Sequence, residues 1–271
     1  KRQVQNLTGY LVKTPAVQIE DKAKKIGICV RGCDSRSLVA LIQEQLVSRD
    51  RLMIFGLPCS GTVDRRRPAA AQLPPSGFKS ARVEKEMLRV EDGRGVREVA
   101  LDQVLARRCL RCTRPNPLLY DVLVGQGVTP RATPLEQYRD IEAVEALDLD
   151  GRLAFWQREL DRCIRCYACR NACPLCICQD RCIAETREPK WISQYMGLPE
   201  KFLFHFIHAV HLAGRCTECG ECERVCPMEI PVTLMKEKLG RIVGDLMGYE
   251  AGVDPEATPP LLTFNPSETG I

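Results

Sequence analysis

Residues 163–174 read CIRCYACRNACP and residues 216–227 read CTECGECERVCP. Each stretch is a C-x2-C-x2-C-x3-C-P run, the spacing that holds a cubane iron–sulfur cluster. A cubane needs four thiolates converging on its corners. A short C-x2-C-x2-C loop wraps three of them and turns backbone N–H groups toward the sulfurs. The fourth comes from elsewhere, because the local loop cannot close round the cube. Two copies in one chain make a chance match a poor explanation. Zinc is usually gripped by pairs of C-x2-C hooks, and disulfide frameworks belong to short secreted chains.

Where two such runs share a chain, the fourth cysteine of each ligates the other cluster. That rule assigns one cluster to Cys163, Cys166, Cys169 and Cys226, and a second to Cys173, Cys216, Cys219 and Cys222. The exchange draws the clusters close enough for electron tunnelling, so the expected business of the chain is carrying electrons.

Composition narrows the setting. The chain has 271 residues, room for two ordinary domains, and sixteen cysteines. The first thirty residues contain no apolar h-region, and cysteines in metal spacing indicate a reducing compartment, so a cytoplasmic location is expected. Residue 1 is Lys rather than Met, as in the ordered part of a longer polypeptide. No stretch approaches the roughly twenty apolar residues of a membrane span. A net charge of +4 with no basic aromatic stripe argues against nucleic-acid binding.

Residues 25–64 read as an α/β unit. KIGICV is a buried strand, RGCDSRS a polar loop with Asp34 or Ser35 as helix N-cap, SLVALIQEQLV a helix and RLMIFGL a second strand, joined by a parallel crossover. Cys33 and Cys59 then fall just past two strand ends, where ligands gather in open α/β sheets. Residues 65–98 read as a surface excursion; Arg65–Arg67 suit an acidic partner or phosphate, though a solvated charge run is the commoner case. VALDQVLARRCLRC reads as a helix running into Cys109 and Cys112, and YDVLVG as a short strand. The expected architecture is an α/β domain with an open, mainly parallel sheet (1–128), a linker (129–150), a mainly α-helical dicluster domain (151–250) and an extended tail (251–271). LAFWQRELDRC, PEKFLFHFIHAVHLAG and VTLMKEKLGRIVGDLMG supply its helices.

GCDSRSL, LPCSG, and CLRC followed by YDVLVG resemble the beta subunit of deazaflavin-reducing hydrogenases and its dehydrogenase relatives, over about residues 25–127. The resemblance implies a third [4Fe–4S] cluster on Cys33, Cys59, Cys109 and Cys112, beside a flavin. Zinc or four unrelated buried thiols are the alternatives at that site. The chain has no G-x-G-x-x-G fingerprint, so FAD stays a secondary expectation. The cluster region resembles the helical dicluster ferredoxins of heterodisulfide reductase and succinate dehydrogenase subunits. Partners implied are subunits of heterodisulfide-reductase-like, hydrogenase, formate dehydrogenase or methylene-tetrahydrofolate reductase complexes.

Cys29 reads as strand core, and Cys176, Cys178 and Cys182 as packing, since three thiols so spaced make a poor cubane. His205, His208 and His211 recur at steps of three on a helix and read as surface or satisfied core histidines. No residue stands out as a nucleophile, general base or substrate clamp. The leading reading is therefore an electron-transfer subunit of an oxidoreductase. The alternatives are a flavin-containing reductase of a soluble carrier such as a deazaflavin, and a scaffold with structural clusters. Arg165 and Arg170 flank the first cluster motif, and Glu218, Glu221 and Glu223 the second. Positive charge favours the reduced form, so the first cluster is expected to have the higher potential. A redox titration with single-cluster variants checks this, and equal or reversed potentials would contradict it.

Overall fold

The computed structural model describes residues 5–13, 25–178, 182–184 and 192–263. Helix α1 (Thr8–Lys13) leads to strand β1 (Ile26–Val30), helix α2 (Gly32–Gln43) and strand β2 (Leu52–Gly56). Strands β1 and β2 pair in parallel from Ile26↔Leu52 to Val30↔Gly56, so α2 is the expected crossover. The helix starts earlier than the sequence suggests. GCDSRS is helix rather than loop, because Arg31 sits at the N-cap and Asp34 closes the turn from inside. The Asp34 carboxylate accepts from the Arg31 backbone N–H (3.1 Å) and its guanidinium (2.7 Å). A carboxylate near a helix N-terminus also meets the positive end of the helix dipole. Cys33 is thereby fixed in the first turn.

The stretch 65–98, read as a surface excursion, runs into regular structure over residues 80–100. They form an antiparallel meander of β3 (Ser80–Glu84), β4 (Met87–Asp92) and β5 (Gly95–Ala100). Lys85 and Glu86 both have positive φ and make the tight turn between β3 and β4. Leu88 and Val90 alternate inward with Arg89 and Glu91 outward. The inner face packs on α3 (Leu101–Val104) and on Leu105 and Cys109, the latter in α4 (Arg107–Leu110). The Arg65–Arg67 run is exposed in part but is also tied to backbone carbonyls. Arg65 donates to the carbonyls of Leu73 and Pro74, Arg67 to those of Asp102 and Gln103, and Arg66 to those of Glu223 and Cys226.

Strand β6 (Val122–Leu123) joins β2 in parallel, giving the order β1-β2-β6. The stretch read as a linker contains α5 (Arg139–Glu145), followed by α6 (Leu149–Asp161), α7 (Ala168–Ala172), α8 (Leu198–Val210), α9 (Glu221–Arg224) and α10 (Thr233–Met247). Among the described residues from 139 onward there are helices and turns and no strand.

Helix α2 joins these parts. Leu38 faces β1 and β2 with Ile28, Val30 and Ile54, while Ala40 and Leu41 face Cys173, Leu175 and Leu212. Ser37 Oγ and Thr217 Oγ1 share a hydrogen bond of 2.8 Å, and Arg215 pairs with Glu44. Residues of the tail lie along α2, where Arg36 donates to the Ala251 carbonyl and Gln43 to those of Asp254 and Ala257. Residues 264–271 lie outside the described residues.

Arg111 makes a two-point bond to Glu237 of α10 (2.9 and 3.1 Å), with both side chains buried. Burial pushes the Glu237 carboxyl up to about 7 despite the opposing guanidinium. Removing one member of such a pair strands the other charge in the core. Arg111→Met should cost about 3–5 kcal/mol, read as a lower denaturation midpoint. Arg111→Met with Glu237→Met should recover most of the loss.

Candidate metal centres

The two cysteine loops have the same backbone shape. Arg165 and Tyr167 in the first, and Glu218 and Gly220 in the second, all lie in the left-handed region, two and four residues after the leading cysteine. Left-handed residues rotate successive N–H groups toward one side of the chain, a concavity suited to anions. The Arg165 N–H accordingly points at Cys163 Sγ (3.3 Å), and the Ile230 N–H at Cys226 Sγ (3.4 Å). The Glu218 and Glu221 N–H groups do the same for Cys216 and Cys219.

The thiols group as follows. Cys163 lies near Cys226 and Cys166, and Cys169 near Cys222, Cys163 and Cys226. Cys216 faces Cys222 and Cys219, while Cys173 is a neighbour of both Cys219 and Cys222. Cys173 and Cys226 thus each stand with the opposite loop. From α1, Lys13 donates to the Cys173 and Asn171 carbonyls and pins that cysteine. Most of the set is buried or half-buried, whereas Cys166 is exposed.

Cys33, Cys59, Cys109 and Cys112 line one small cavity with Gly32, Gly61 and Arg108. The Gly61 N–H points at Cys59 Sγ (3.4 Å), and the Thr62 N–H at Cys109 Sγ (3.3 Å). The backbone of Arg114 serves Cys112 in the same way. Gly61 has a φ of +114°, and a Cβ there would stand 2.6 Å from Leu105 Cδ2. A Cβ on Gly32 would lie 2.0 Å from the Arg114 carbonyl oxygen. These glycines let three loops close on one space.

Burial pushes the thiols up, Cys169 to about 12 and Cys222 to about 11. A positively charged metal core would supply the missing drive to ionise them. Among the described residues no three histidine, cysteine or carboxylate groups converge on the position of a single metal ion. The all-cysteine donor sets, with N–H groups already aimed at several of the sulfurs, suit an iron–sulfur cluster.

Three buried residues lie near the thiols, a placement the sequence reading gave to none of them. His205 Nε2 lies 3.3 Å from Cys163 Sγ, and burial lowers the imidazole to about 4. Lys236 of α10 is buried, with the thiols of Cys222, Cys169, Cys173 and Cys216 as its neighbours. Arg108 lies between Cys109 and Cys33 on one side and Glu221 and Cys219 on the other. Of the histidine series, His205 and His208 are buried, so they are core rather than surface residues. Cys182 lies in the core under the first loop, Cys176 is half-buried beside Cys173, and Cys178 is exposed. Cys29 is half-buried in β1.

The flanking charges differ from their sequence pattern. The Arg165 guanidinium is committed to the carbonyls of Ser193 and Tyr195, and Arg170 to that of Cys178. Glu221 is buried between Arg224 and Arg108. The arginines around Glu221 offset its effect on the second loop and narrow the expected difference in potential.

Residues 159–230 match the family model for a 4Fe-4S dicluster domain. Curated homologues extend the match to most of the chain. The F420-dependent formate dehydrogenase subunit beta of Methanocaldococcus jannaschii is 24% identical over 89% of this chain and 77% of its own length. The subunit beta of F420-dependent formate dehydrogenase 1 from Methanococcus maripaludis is 25% identical over 88% of this chain and 75% of its own length. A shorter match, 30% identical over 38% of this chain and 10% of the relative, is to acetyl-CoA decarbonylase/synthase complex subunit alpha 1 of Methanosarcina acetivorans. No helix among the described residues is long and apolar enough to cross a membrane.

Because a Cβ on Gly32 collides with backbone, Gly32→Ala should displace the loop that carries Cys112. Iron analysis of the anaerobically purified variant should find about four fewer irons per chain, with the dicluster domain still loaded.

Proposed function

We propose that this chain is the iron–sulfur electron-transfer subunit of a larger oxidoreductase, relaying electrons through two ferredoxin-type clusters and a third at the α/β domain. The observation that carries the reading is the row the thiols make. Cys163, Cys166, Cys169 and Cys226 stand next to Cys173, Cys216, Cys219 and Cys222. Those stand next to Cys33, Cys59, Cys109 and Cys112, with Cys219 and Cys33 as the neighbours across the last gap. When bound, [4Fe–4S] clusters at these thiols would pass single electrons without proton or group transfer. The chain supplies order, spacing and surroundings: N–H donors to sulfur, glycine-lined loops and buried cations. Residues 1–128 would carry the third cluster, and residues 151–250 would form the dicluster domain of the all-helical type. Exposed Cys166 puts the first cluster where a partner can reach it.

The homologues named above make a formate dehydrogenase complex the favoured assembly. Heterodisulfide-reductase-like, hydrogenase and methylene-tetrahydrofolate reductase complexes are alternative settings, all in a reducing cytoplasm.

One observation favours a second reading, a flavin-containing reductase of a soluble carrier. A cavity of about 480 Å³ lies between the two parts, lined by Arg65, Arg66, Arg67, Arg107 and Arg108 among others. Cofactor sites commonly span about 300–1,000 Å³. Iron, acid-labile sulfide and flavin fluorescence measured on one anaerobic sample separate the readings. About twelve irons without flavin is the expected result. About eight would remove the third cluster, and bound flavin would favour the reductase.

A further inference from the structure

Helix α10 places a lysine where a core has no ordinary use for one. Lys236 is 2% exposed, and its Nζ makes no hydrogen bond to an oxygen or nitrogen. Among the described residues no carboxylate lies within ion-pair distance of it. Burying an unpaired ammonium is expensive, so charged lysines in cores have an anionic neighbour. The groups around Lys236 are sulfurs: Cys169, which stands with the first set, and Cys173, Cys216 and Cys222, which form most of the second.

The next gap has the same device. The Arg108 side chain is 8% exposed, and its stem lies against the second loop, where a Cβ on Gly220 would stand 2.3 Å from Arg108 Cδ. It also forms a wall of the cavity ringed by Cys33, Cys59, Cys109 and Cys112. Its carboxylate neighbour, Glu221, is 3.8 Å away and is bonded more closely by Arg224 at 2.9 Å. Asp64, which also lies within reach of Arg108, is bonded by Arg66, so no carboxylate is held closely by Arg108 alone.

We propose that Lys236 and Arg108 are positioning residues for potential, one buried cation in each gap of the row, each raising the reduction potentials of the two clusters it separates. The proposal rests on the relay reading above. A cubane held by four thiolates is anionic in both of its working states and gains one more negative charge on reduction. A fixed cation beside it therefore stabilises the reduced form more than the oxidised form, and does so strongly where the dielectric is low. A cation between two such groups also screens the repulsion that an electron on one exerts on the other. Lys236 thus acts on the first and second clusters, and Arg108 on the second and third.

The test uses the full chain, purified anaerobically, with iron and sulfide measured first and each cluster then titrated by EPR. Lys236→Met should lower the potentials of the first and second clusters about tenfold in reduction equilibrium, about 59 mV for one electron, and leave the third in place. Arg108→Met should lower the second and third and leave the first. Lys236→Arg and Arg108→Lys should return most of each shift. Gly220→Ala, which evicts the Arg108 stem, should imitate Arg108→Met. Fully loaded variants with unmoved potentials, or one uniform shift of all three signals, would overturn the proposal. Should Lys236→Met lose iron, Lys236→Gln decides: a loaded protein with wild-type potentials overturns the tuning role. Iron lost from both neutral variants but kept in Lys236→Arg makes the charge a requirement of assembly and also overturns it. Wild-type protein lacking clusters would sink the relay reading itself, a result distinct from all of these.

Discussion

Helix α2 is buried on both of its faces, and the adjacency of the three thiol sets depends on it. One face completes the parallel sheet through Leu38; the other, through Ala40 and Leu41, receives the chain around Cys173 and Leu212. A helix covered on two sides cannot slide toward one neighbour without opening a cavity against the other, and cavities in cores are costly. Cys33 in its first turn is therefore held in fixed relation to Thr217 and the second cysteine loop. The arginine bonds from Arg36, Arg66 and Arg215 add direction to this apolar contact. Their acceptors are mostly backbone carbonyls, which cannot move independently of the loops they belong to.

The charge arrangement follows from the same burial. A soluble core normally excludes lysine and arginine. Here the guanidinium of Arg111 is matched by Glu237, and that of Arg31 by Asp34. Lys236 and Arg108 sit instead beside sulfur. The local excess of positive charge is thus concentrated where anionic groups would gather, rather than spread over the surface.

How far the sequence could be read depended on the range of the interaction involved. The eight cysteines of the two C-x2-C-x2-C-x3-C-P runs were legible because their spacing is local and a cubane permits few spacings, whereas Cys33, Cys59, Cys109 and Cys112 come from separate loops and were singled out by a family resemblance. β1, α2 and β2 were legible from apolar runs and periodicity. The boundary at Gly32 was not, because Asp34 caps from within the helix and the polar run GCDSRS looks like a loop. The β3–β5 meander carried an alternating signal in MLRVED and a turn signal in DGRG, both overshadowed by the prolines and arginines upstream. Lys236 and Arg108 gave no local sign at all. In sequence, Lys236 is one more lysine on an amphipathic helix, and only the packing of α10 under both loops sets it apart. His205 was visible as a position but not as a neighbour of Cys163.

The two cysteine loops share a backbone but not a tolerance for change. Three of their four left-handed positions are filled by Arg165, Tyr167 and Glu218, although a side chain there costs about 1–2 kcal/mol relative to glycine. Only Gly220 is glycine, and a Cβ there would meet the stem of Arg108 from the α/β domain. A side chain at Gly220 would have to displace Arg108, so the second loop is tied at that turn to the side chain packed against it.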